Sequence, residues 1–160
     1  MQGKLAELIR THAGAGRVDW IGLRPERLTD LMAVSSAWIV KDGLEGDHGR
    51  SGKRAVTLIQ AEHLPVIAAL AHRKGVTAEL LRRNIVVSGI NLTSLRNHRI
   101  RMGEAELEIT TPCAPCSRME AALGPGGYNA MRGHGGWCAQ VVSPGQVSLG
   151  SKPAQHYPQP

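Results

Sequence analysis

The chain contains no phenylalanine, and only three tryptophans and two tyrosines among its 160 residues. Aliphatic side chains must therefore supply most of the packing, and the aromatic platforms on which unpaired bases stack are scarce. The longest apolar stretches, such as Val66–Ala71, stop far short of the roughly 20 residues that a membrane-spanning helix needs. The opening Met1-Gln2-Gly3-Lys4-Leu5-Ala6-Glu7 lacks the apolar core and small-residue cleavage site of a secretory signal. Cysteine is scarce as well. Three is an odd number for a chain this size and argues against a secreted disulfide framework, so the expected address is the cytoplasm. Neither an internal repeat nor a low-complexity tract stands out.

What is present begins with charge. Nineteen Lys and Arg against thirteen Asp and Glu leave a net charge of +6. That surplus is either a solvated basic surface or the counterpart of an anion, nucleic acid or a phosphorylated cofactor. The basic residues are scattered and no zinc-finger spacing or aromatic RNP stripe accompanies them, which disfavours nucleic acid. No membrane association is expected either. A chain of this length fits one domain with a core of its own.

Short β-type segments dominate the pattern: Val18–Leu23, Ala33–Lys41, Arg54–Ile59, Asn84–Ile90, Arg99–Met102, Ala105–Thr111, Cys138–Val142 and Gln146–Leu149. The clearest alternation places Ile100 and Met102, then Ala105, Leu107 and Ile109, on one face, with Gly103-Glu104 as the hairpin turn. Helical period appears at Lys4–Arg10, at Ala61–His72 and, behind a Thr77 N-cap, at Ala78–Arg83. The Pro-rich end, Ser151–Pro160, reads as loose. Many strands with a few inserted helices predict a mainly β barrel or sandwich, without the βαβ series of a Rossmann or thioredoxin fold.

Four groups could carry chemistry. The first is Thr111-Pro112-Cys113-Ala114-Pro115-Cys116-Ser117-Arg118. A proline before each sulfur stiffens the backbone, and Arg118 could favour the Cys116 thiolate. Such a thiol can bind a soft metal, carry sulfur or attack a substrate. It can also be half of a zinc site completed by His134 and Cys138, a redox dithiol, or inert core. The second is Gly43-Leu44-Glu45-Gly46-Asp47-His48-Gly49, a turn that can expose amides to an anion, with Asp47 and His48 able to exchange protons. In the third, Arg82, Arg83 and Asn84 stand before the apolar run Ile85–Val87. They could fork onto phosphate or cap a helix C-terminus. The fourth, Gly124–Trp137, is glycine-rich and reads as a lid or a long connection.

Taken in order, these pieces resemble the MOSC family, the domain found at the C-terminus of molybdenum cofactor sulfurases and in stand-alone bacterial proteins. The matching segments are Asp19–Pro25, Gly43–His48, Lys53–Gln60, Leu81–Gly89, Pro112–Met119, and Gly135-Gly136-Trp137 leading to Val141-Val142 and Gly150. The resemblance implies a closed β-barrel with a few short helices over residues 17–151, after an N-terminal helix or extension at 1–16 and before a flexible tail at 152–160. It implies a molybdenum cofactor (molybdopterin) with Cys116 as the metal's thiolate ligand. Arg82, Arg83, Asn84, Arg118, Arg54 and Cys113 would hold the cofactor, and Asp47 and His48 would serve as proton donors. Arg83 stands where many relatives have proline, so either Arg82 or Arg83 would be the phosphate contact; Cys138 is taken as packing. The implied activity is reduction of a small N-hydroxylated substrate with a separate electron-transfer protein. The alternative is persulfide transport from a cysteine desulfurase; pyridoxal phosphate is a family-level association, with no such domain in this chain.

Overall fold

The computed structural model describes residues 3–27, 29–49 and 52–155. In chain order its elements are α1 (Lys4–Arg10), β1 (Arg17–Leu23), β2 (Met32–Val34), β3 (Ser36–Val40), β4 (Gly43–Leu44), β5 (Val56–Gln60), α2 (His63–Leu70), α3 (Ala78–Leu81) and β6 (Ile85–Ser88). A 3-10 turn (Leu92–Leu95) leads into β7 (Arg99–Met102), β8 (Ala105–Pro112), α4 (Ser117–Leu123), α5 (Gly127–Met131), β9 (Trp137–Ser143), β10 (Gly145–Ser148) and β11 (Ala154–Gln155).

Eight strands form one sheet in the order β11-β7-β8-β9-β5-β6-β1-β2, and β10-β3-β4 form a second. The architecture is mainly β with a few short helices. The large sheet is an open half-barrel whose outer strands are β11 and β2, so the closure expected of a barrel is not present among the described residues.

The β7–β8 hairpin follows the alternation legible in the sequence. Ile100, Met102, Ala105, Leu107 and Ile109 are fully buried, while Arg99 and Arg101 are exposed. Gly103 makes the turn at φ 62°, a region that disfavours side chains.

β5 and β6 run parallel, joined by α2 and α3. Parallel strands need such a crossover and bury both faces, which accounts for the unbroken apolar run Ile85-Val86-Val87. Val56, Leu58, Ile85 and Val87 pack into the core enclosed by the curved sheet. Ile59 and Val86 point the other way, into a second core with Ile67, Leu81, Met119, Leu123 and Met131 from the helices. A single crossover of this kind was not expected.

Two further expectations are corrected. The stretch Gly124–Trp137 contains α5, with Ala130 and Met131 buried. The tail is tied down as far as Gln155: Pro153 is buried, and Ala154 and Gln155 pair with Arg101 and Ile100. Residues 156–160 of that segment lie outside the described part. α1 forms where the pattern places it, with Leu5, Leu8 and Ile9 exposed. No described helix is long and apolar enough to cross a membrane.

Candidate functional site

Pro112, Trp137, Leu58, Ile85 and Ile21 are successive cross-strand partners, one row running through five adjacent strands. The loop Cys113–Cys116, the segment Arg82–Asn84 and Arg24 all leave the sheet within three residues of that row. Strand register therefore gathers side chains that are up to 92 positions apart, from Arg24 to Cys116.

Arg83 faces the protein's own main chain. It is 6% exposed, and its guanidinium donates to three main-chain carbonyls: Nε to Gly135 (2.8 Å), one terminal nitrogen to Leu81 (2.8 Å) and the other to Cys113 (3.2 Å). A planar fork that satisfies three carbonyls is a clamp. It pins the glycine-rich stretch and the cysteine loop to the head of β6. Asn84 is likewise buried and spent. Its Oδ1 accepts from the Thr57 amide and hydroxyl, and its Nδ2 donates to the Gly22 carbonyl. Both side chains, expected among the cofactor contacts, are engaged within the protein itself.

Arg82 turns the other way. It is the C-cap of α3, in the left-handed region at φ 59°. Burial, then the charges of Arg24 and Arg118, hold its pKa below the ordinary value, against the opposing pull of Asp30 and Asp47. Arg82 and Arg118 line one open groove with Asp30, Thr77 and Met119. The Nε atoms of Arg82 and Arg24 are buried without a hydrogen-bond partner. The Arg24 Nε has the Asp47 carboxylate as an ion-pair partner at 3.5 Å, so the orphaned Arg82 Nε, with the charges of Arg24 and Arg118 acting on it, is the group that an anion would satisfy.

Asp47 is part of the support. Its side chain is 1% exposed, accepts from the Arg24 amide at 2.7 Å and lies 3.5 Å from the Arg24 Nε. Through Oδ1 this carboxylate anchors Arg24, while its Oδ2 is buried without a hydrogen-bond partner. His48 is exposed, and its amide donates to the Arg24 carbonyl at 2.6 Å.

The three cysteines are free thiols in distinct settings. Cys116 is exposed and forms the N-cap of α4, at the end of the loop stiffened by Pro112 and Pro115. Its carbonyl accepts from the Met119 amide at 2.9 Å, so the helix fixes the main chain beneath the sulfur. Cys113 is half-buried, with its amide bonded to the Gly136 carbonyl at 2.8 Å. A hydrogen bond from the Cys138 thiol brings the Cys113 pKa down from 9.0 to about 6; burial opposes this, and the charges of Arg83, Arg24 and Arg54 assist it. Cys138 is buried, and its own pKa is pushed up, first by donating to Cys113, then by burial and by the Cys113 charge. Cys138 is buried, as expected of a packing residue; that it also acts on Cys113 has no local signal in the sequence.

A cavity of about 400 Å3 opens beside Cys113, lined also by Pro112, Tyr128, Met131 and Trp137, with Gln60 and His63 at its polar edge. His134 packs edge-on against His63, with ring centroids 5.4 Å apart. Among the described residues no three His, Cys, Asp or Glu side chains are grouped to hold a metal, so Cys113, Cys116, Cys138 and His134 do not make the zinc set considered above. Arg24, whose charge acts on Arg82, is the residue that the sequence reading left out of the site; it lies in the segment Gly22-Leu23-Arg24-Pro25 at the end of β1.

Known structures share this architecture. The YuaD protein of Bacillus subtilis superposes with a TM-score of 0.78 at 19% identity, covering 91% of this chain and 98% of that one. YiiM of Geobacillus stearothermophilus gives 0.74 at 18% identity, covering 89% and 75%. YiiM of Escherichia coli gives 0.69 at 22% identity, covering 89% and 71%. No curated protein sequence matches the chain. The family model for the MOSC domain matches residues 45–152.

Proposed function

Because the chain belongs to the MOSC domain family, we propose that it binds molybdenum cofactor through the Cys116 thiolate and reduces small N-hydroxylated compounds with electrons from a separate protein. The supporting observation is an exposed, helix-anchored Cys116 two residues before Arg118, whose charge acts together with that of Arg24 on Arg82, a residue with an orphaned buried Nε. The residues fit the group. Cys116 offers a soft sulfur of the kind that adds to a dithiolene-bound metal. Arg82, Arg118 and Arg24 offer the forked donors that an anionic phosphate takes up. Arg82 rather than Arg83 is then the phosphate contact, because Arg83 has no fork to spare.

When bound, the cofactor supplies a metal able to exchange an oxygen atom in a two-electron step. The chain's own residues bind and orient. Asp47 holds Arg24 in place, Arg83 fixes the cysteine loop, and Arg54, whose charge acts on Cys113, adds to the positive field. His48, exposed and bonded through its amide to Arg24, is the candidate proton donor to a departing oxygen. The setting that keeps such thiols reduced is the cytoplasm.

A second reading has its own observation. The sulfur of an exposed Cys116 is open to another protein, as persulfide delivery from a cysteine desulfurase requires. Purification from a cofactor-competent host, followed by elemental analysis and cyanolysis, separates the two. Molybdenum approaching one atom per chain supports the first; cyanide-labile sulfur without metal overturns it and supports the second.

A further inference from the structure

We propose that Cys113 and Cys138 form a second sulfur site, independent of Cys116, in which Cys113 attacks a small organic disulfide held in the adjoining cavity and Cys138 resolves the product.

The geometry carries this. Cys113 lines the cavity, whose walls of Pro112, Met131, Tyr128 and Trp137 suit a flat apolar body. Cys138 is 4% exposed and takes no part in that lining, so a nucleophile at the wall has a shielded thiol behind it. Pro112 pairs with Trp137, and the Cys113 amide bonds to the Gly136 carbonyl. Cys138 is thus the diagonal neighbour of Cys113 on the same face of the β8–β9 ladder. The two thiols act on one another's ionisation in opposite directions.

The electrostatics order the two steps. The Cys113 thiolate attacks one sulfur of R–S–S–R, the S–S bond breaks, and RS⁻ departs to take up a proton. Cys113 then carries a mixed disulfide and no charge. The two largest electrostatic reasons for the raised pKa of Cys138, its bond to Cys113 and the Cys113 charge, vanish together, while Arg54 and Arg83 still favour ionisation. Cys138 loses its proton and attacks the Cys113 sulfur, and the second RS⁻ leaves and is protonated. Two protein thiols are oxidised to one disulfide while one organic disulfide is reduced to two thiols. No other reactant is required.

The test uses the full-length Cys116→Ser protein, which removes the competing exposed thiol, and 4,4′-dithiodipyridine as the aromatic disulfide. The expected result is release of about two equivalents of thiopyridone and a Cys113–Cys138 cross-linked peptide by mass spectrometry. A stable adduct on Cys113 with Cys138 still reduced would overturn the proposal. Ionisation near pH 6 in place of 9.0 raises the thiolate fraction at pH 7 about ninetyfold, but the lower basicity of that sulfur removes most of the rate gain. The sharper readout is therefore the pH profile of the first step, expected to reach half-maximum near pH 6. Cys138→Ser keeps a hydrogen-bond donor and should hold that midpoint low, whereas Cys138→Ala should move it upward; both should stop at one equivalent. Equal midpoints in the two variants contradict the pairing. A negative result here leaves the Cys116 reading intact, since neither Arg82 nor Cys116 enters it.

Discussion

Arg83 shows how a residue type can mislead when its partners are remote. Two arginines before an apolar strand suggest phosphate, yet the carbonyls that Arg83 binds include one 52 residues away, at Gly135. Nothing local to Leu81–Asn84 encodes that contact. Arg82 next to it has the left-handed backbone and the orphaned Nε, so one residue of register separates clamp from receptor. Removing the clamp leaves buried carbonyls without donors, and hydrogen bonds to a charged group contribute about 1.5–3 kcal/mol each. Arg83→Ala is therefore expected to lose at least about 3 kcal/mol in chemical denaturation, and Arg83→Lys should not restore it, because an ammonium lacks the fork. Full stability in Arg83→Ala would show that the clamp is idle.

Cys113 sets a pH dependence at the same scale. Its folded pKa lies below the unfolded one, so its contribution is present above about pH 9 and is lost as pH falls through about 6. Cys138 has the opposite sign: its folded pKa is raised, so it costs stability once the unfolded thiol ionises. Together they predict that the protein gains stability from pH 6 toward 9 and loses it beyond. Cys113→Ser, followed by thermal denaturation across that range, should flatten the rise. An identical slope in the variant would remove Cys113 from the account.

Among the elements, those with strict period were legible and those fixed by long-range packing were not. The β7–β8 hairpin declared itself because charged residues flank every buried one along Arg99–Ile109. Thr77 declared itself as an N-cap, and its side chain accepts from the Leu80 amide. α4 and α5 did not, since each is shorter than two full turns and only a few apolar positions, such as Met119, Leu123 and Met131, mark the buried side. β11 has two residues and exists only because β7 offers an edge. Glycine in the 124–137 stretch has a packing reason that composition alone leaves ambiguous. At Gly136, φ is 91° and an added Cβ would fall 2.0 Å from the Leu58 carbonyl oxygen. Gly136→Ala should destabilise by at least about 2 kcal/mol through strain and displacement of β5. Gly14→Ala, with open space around it, should stay within about 0.5 kcal/mol. Comparable melting temperatures for the two would contradict the close approach.

On the scale of the whole molecule, the half-barrel brings Arg82 and Arg118 to one groove and Arg24, from a third segment, close enough for its charge to act on Arg82. The net charge of +6 was legible as a count, but its concentration at this place depends on the parallel crossover and on the ends of β1 and β8. The same topology separates two sulfur environments, Cys116 exposed at a helix start and Cys113 backed by Cys138. The ordered motif set carried the family, while the division of labour among its cysteines and arginines needed coordinates. The central claim is that Cys116 is the metal's thiolate. Its most direct measurement is molybdenum per chain in wild type, Cys116→Ser and Cys113→Ser proteins from a cofactor-competent host. The account predicts near-stoichiometric metal in wild type, near-complete loss in Cys116→Ser and a smaller loss in Cys113→Ser; undiminished metal in Cys116→Ser would contradict it.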